Sequence, residues 1–170
     1  AKIVEEGHVD ILFGSEVGGP GGGFRRQLID VSDVLAKPFG DISVYEVGNY
    51  ISVYGFPCPP HVSLHGLPEK FRPPVGSDVD AAITRFDILP GGASQPAAHV
   101  IVGNLHIDYS NNPRWSVLER QKIVRLLRDE LETYTAPQPD MPVVRLIVGD
   151  DDLSTEEACE ALQRKKNTDP

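Results

Sequence analysis

A period of two runs through HVDILFGSEV, where Val9, Ile11 and Phe13 stand against Asp10, Leu12 and Gly14, and the segment closes at Glu16. Such alternation predicts a strand with its successive side chains on opposite faces. The AKIVEEG before it has the form of a helix end closed by Gly7. DISVYEVGNYISVYGF predicts two strands joined by a tight turn at 47–49, and the β-branched and aromatic content of both halves suits a pleated surface. Val79 to Leu89 and Ala98 to Ile107 predict a second antiparallel pair around PGGASQP. VVRLIVG is nearly continuous in apolar residues and predicts a strand buried on both faces.

Helical periods fall between these runs. Ser116 followed by Glu119 has the spacing of a capping box and predicts a helix to about Tyr134. Val117, Val124, Leu127, Leu131 and Tyr134 form its apolar stripe, with Arg120, Arg128 and Glu132 facing water. Ser154 and Glu157 repeat the pattern and open a last helix through about Lys165. Phe24 to Lys37 has a short amphipathic pattern ended by Pro38, and the proline-rich stretch 57–76 predicts an irregular excursion. Helices interleaved with hairpins predict one domain of mixed α/β (α+β) class, a sheet covered by helices.

The chain of 170 residues is 40% apolar, within the size of one domain with its own core. Sixteen Lys and Arg against 25 Asp and Glu leave a net charge of -9. That balance excludes a broad basic surface gripping nucleic acid by counterion release, so a phosphate partner needs a metal bridge or a local basic pocket. Cys58 and Cys159 form no CxxC pair, which fits a reduced, intracellular chain, and no run is long and apolar enough to span a membrane. Absence of an initial Met and helix-like segments at both ends suggest a fragment.

The chemistry concentrates where apolar runs end. VVRLIVG delivers Asp150, Asp151 and Asp152 to a strand terminus, the edge at which α/β sheets place ligands. If the backbone stays extended, Asp150 and Asp152 share a side. One or two carboxylates suit Mg2+, which keeps water and substrate phosphate in its remaining positions. The plainer alternative is that the acids complement the positive end of the following helix. Glu16 also ends an apolar strand, and in VIVGNLHI alternation places Asn104 and His106 on one face. An imidazole there can donate to a phosphate oxygen or protonate a leaving group. Among the cations, Arg85 lies on a strand and is the candidate to hold phosphate, whereas Lys70 and Arg72 are expected to be solvated. GGPGGGF lacks the GK[ST] of a P-loop, and the prolines around His61 and His65 oppose a helical zinc pair.

Three segments in order, DILFGSEV, VIVGNLHI and VVRLIVGDDD, resemble the endonuclease/exonuclease/phosphatase superfamily, and Arg120-Gln121 begin a helix where that family has one. The resemblance implies a two-sheet β-sandwich flanked by helices, an incomplete version of the DNase-I-like four-layer fold. It implies hydrolysis of phosphate esters, nucleic acid among them, with Mg2+ or Mn2+. By resemblance Glu16 and Asp150 would bind the metal, Asp150 would ready the attacking water, and His106 would stand near the scissile phosphate. Asp152 occupies the asparagine position of the family's Gly-Asp-x-Asn. A carboxylate accepts where an amide would donate. The family's asparagine on its first strand and its C-terminal Asp-His have no counterpart in this chain. Those departures leave room for a non-catalytic interaction module on the same fold.

Overall fold

The computed structural model describes residues 11–15, 43–47, 51–55, 62–73, 79–107 and 116–163. The predicted first strand appears as β1 (Ile11–Ser15), and the tight-turn pair as β2 (Ser43–Val47) and β3 (Ile51–Gly55). They form an antiparallel sheet in the order β1-β3-β2. The helix expected over 24–37 lies outside the described residues.

A five-stranded sheet carries the core. β6 (Val79–Ile88) and β7 (Ala98–Ile107) pair antiparallel along ten residues each, joined through a 3-10 turn at Pro90–Gly92. β7 then pairs in parallel with β8 (Val143–Asp150). Parallel neighbours need a long crossover, here α1 (Val117–Thr133), and α2 (Thr155–Leu162) follows β8. The far edge of β6 is taken by β4 (Val62–Leu64) and β5 (Glu69–Phe71), so the stretch expected to be irregular contains two short strands.

Side-chain parity divides this sheet. Odd-numbered residues face the helices: Ala81, Ile83, Ile101 and Leu105 cluster with Ile123, Val124, Leu127 and Leu131 of α1 and Ala161 of α2. A β-carbon at Gly103 would meet the Leu127 side chain at 2.9 Å, so the missing side chain lets the helix sit close. Even-numbered residues take the opposite face, where the Phe86 ring meets Phe13 of β1 edge-on at 6.0 Å between centroids. Each large aliphatic chain buried this way contributes about 1.5–3 kcal/mol.

Two burial expectations are corrected. β8 is an edge strand, and Val144 and Leu146 stay exposed at 45% and 46%. A continuous apolar run therefore did not mean two covered faces. Arg120, expected in water, is buried at the start of α1. Both predicted capping boxes form: Ser116 and Ser154 each accept from the N–H three residues on and donate their own N–H to Glu119 and Glu157.

Candidate functional site

Register alone assembles a polar row. β6 pairs Asp80 with His106, and β7 pairs His106 with Asp150, so the three are register neighbours at one end of the sheet, Asp80 and His106 on the even face. In-register neighbours have β-carbons about 4.5–5.5 Å apart and interact directly. The next row holds Ala82, Asn104 and Val148. Asp80, His106 and Asn104 are buried, whereas Asp150 is open to solvent. The Asn104 Nδ2 and, further along this face, the Thr84 hydroxyl have no hydrogen-bond partner. Such groups are costly in a dry interior and mark places where an acceptor fits.

The alternation stops at Gly149, one residue before Asp150. Gly149 takes φ 129° and Asp152 φ 52°, conformations outside the extended strand. A β-carbon at position 149 would lie 1.9 Å from the Leu105 carbonyl oxygen. The expectation that Asp150 and Asp152 converge through an extended backbone is therefore replaced by a turn. In it the Asp152 N–H donates to Asp150 Oδ1 at 3.4 Å and the Leu153 N–H to Asp151 Oδ1 at 3.0 Å. The buried Arg120 guanidinium donates to the Asp152 carbonyl, and Gln121 donates to the Glu157 carbonyl at 2.9 Å. The start of α1 thereby braces both the acidic turn and α2.

Inside α2 the first-turn carboxylate Glu157 closes the cap. The Ser154 N–H and hydroxyl hold the Glu157 carboxyl below its usual range, as Ser116 does for Glu119.

Arg85 is not brought to the polar row. It takes the helix-covered face, pairs with Glu69 and lies 5.3 Å from the centre of the Tyr134 ring. The Tyr134 hydroxyl donates to Glu69 at 3.0 Å, and burial and that bond push its pKa up to about 12. On the same face Asp87 accepts from His99 at 2.9 Å and lies 3.3 Å from His65 Nδ1, so His65 takes part in a carboxylate pair. Glu16, the proposed metal-binding glutamate, lies outside the described residues, as do His61, Cys58 and GGPGGGF. Among the described residues no three His, Cys, Asp or Glu side chains group in a way that could hold a metal ion. Asp150, exposed at a strand end beside buried donors, still fits a cation that takes one or two carboxylates and fills its sphere with water.

Asp80 is the site residue that sequence reasoning missed. Its signal was a carboxylate at the head of an otherwise apolar strand, VDAAI, but only pairing reveals that it meets His106.

No family model and no curated protein matches the chain. Among solved structures the chain is similar to humanized D. rerio TDP2 carrying 14 mutations, with a TM-score of 0.62 at 14% identity. The match covers 97% of this chain and 58% of that one, so the chain spans a little over half the neighbour's length. TDP2 has the DNase-I-like fold of the endonuclease/exonuclease/phosphatase superfamily. At this identity the likeness speaks to fold alone: a mixed α/β architecture in keeping with part of the DNase-I-like fold. No helix among the described residues is long and apolar enough to cross a membrane.

Proposed function

We propose that the chain is a divergent phosphoester hydrolase domain of the DNase-I-like lineage, with its two sheets packed as a sandwich and its reaction centre at the polar row. One observation carries this reading: three separate strands deliver Asp80, His106 and Asp150 as register neighbours, with the unpartnered Asn104 amide one step away. The motif resemblance and the shared fold support it. Asp150 orients and deprotonates the attacking water. His106 donates to a phosphate oxygen or to the leaving group, and Asn104 donates to a non-bridging oxygen. Glu16 and Asp150 would hold Mg2+ or Mn2+, which neutralises charge on the phosphate when bound. With a net charge of -9 the chain favours a substrate gripped locally at its phosphate over one held along a long nucleic-acid backbone.

Hydrolysis of bis(p-nitrophenyl) phosphate by the full chain, with and without Mg2+ or Mn2+, tests the reading. The expected result is metal-dependent release of p-nitrophenol that falls at least about 100-fold in Asp150→Asn, the scale of losing a general base. Equal slow release in both proteins, with the fold intact by circular dichroism, would sink the hydrolase and support the non-catalytic module.

A further inference from the structure

Lys70 stands where a phosphate site needs a cation. β5 pairs Lys70 with Ala82, and Ala82 pairs with Asn104, so the three share one row of the face that carries Asp80 and His106. Of the Lys and Arg residues in the strands of this sheet, Arg85 and Arg145 take the helix-covered face and Lys70 takes the other. Its Nζ lies 3.5 Å from Asp80 Oδ1, which draws the ammonium over β6 towards His106. That separation is long beside the roughly 2.7–2.9 Å of a strong charge-assisted hydrogen bond. An ammonium carries three donors, so Asp80 leaves capacity for a second acceptor.

Little side-chain bulk stands between the two donors, and that stretch of sheet is covered, with Ala82 at 0% exposure. Ala82 puts only a methyl group between Lys70 and Asn104, and adjacent strands are about 4.8 Å apart. The Asn104 side chain is 1% exposed with its Nδ2 unpartnered, so a buried donor and a half-exposed cation border the same stretch of sheet. We infer that Lys70 and Asn104 together bind an anionic oxygen of the phosphate ester, with Asp80 holding the ammonium over the sheet until the anion arrives. This assignment rests on the phosphate-site reading above and names the cation which that reading lacks.

Inorganic phosphate titrated into the full chain tests it. The readouts are the proton and nitrogen shifts of the Asn104 side-chain amide and the fitted dissociation constant. Lys70→Gln should weaken binding by about tenfold, the scale of one hydrogen bond to a charged group. Lys70→Arg should recover most of the loss. Asp80→Asn should tighten binding, because it removes the carboxylate that competes for the ammonium. Arg85→Gln should leave binding within about twofold, since its charge lies on the other face and is screened. If Lys70→Gln binds as tightly as wild type while Asn104 still shifts, the inference fails and the phosphate site survives. An equal loss in Arg85→Gln would reveal a general charge effect and overturn it as well. If Asn104 does not respond to phosphate in the wild type, both the inference and the site are lost.

Discussion

At the scale of single residues, the site depends on how β8 ends. Gly149 lies at φ 129° with the Leu105 carbonyl oxygen in the place of a β-carbon, and Gly91 lies at φ 56° with open space around it. Both conformations disfavour a side chain, but only the first also collides with backbone. Gly149→Ala should therefore cost at least about 2–3 kcal/mol in urea unfolding, whereas Gly91→Ala should cost about 1–2 kcal/mol. Equal costs would mean that contact with β7 does not set the end of β8. The sequence marked Gly149 as part of a Gly-Asp motif, but the reason for glycine there is a close approach between strands that no local pattern encodes. Asp152 shows the same limit: alternation placed it beside Asp150, while its left-handed φ of 52° turned the chain instead.

At the scale of elements, what lay within a few residues was legible. Both capping boxes, the β6–β7 hairpin and the crossover helix follow from patterns of three to ten residues, and each is present. Two short strands inside the proline-rich stretch were not legible, because β4 and β5 gain their strand character from the exposed edge of β6 and not from their own sequence. Arg120 was misjudged for a related reason. Helical period put it on the polar side, and only α2 and the acidic turn arriving beside it made that side an interior. The caps also make a statement about acid. Glu119 and Glu157 have carboxyls lowered from 4.5 by bonds to their serines, so they add stability above that range and lose it as pH falls through their lowered folded values. Glu119→Gln combined with Glu157→Gln should accordingly flatten the fall in melting temperature below about pH 4.5. An unchanged slope would show that the cap carboxyls do not drive the acid response.

At the scale of the molecule, three facts give the account its shape: a sheet with one face sealed by helices, an opposite face polar at one end, and an exposed edge strand. The order of helical and strand periods gave the class and the charge balance excluded a basic nucleic-acid surface, while pairing between distant strands decided which candidates become neighbours. His106, Asn104 and Asp150 are united by it, Arg85 is sent to the other side, and Asp80 and Lys70 join them unforeseen. The most direct test is paramagnetic broadening by Mn2+ in proton–nitrogen spectra of the full chain. The account predicts that substoichiometric Mn2+ first erases the signals of Glu16, Asn104 to Ile107 and Gly149 to Asp151, and that Mg2+ restores them. Broadening that instead centres on Glu156, Glu157 and Glu160 of α2, with the β7 and β8 signals untouched, would contradict it.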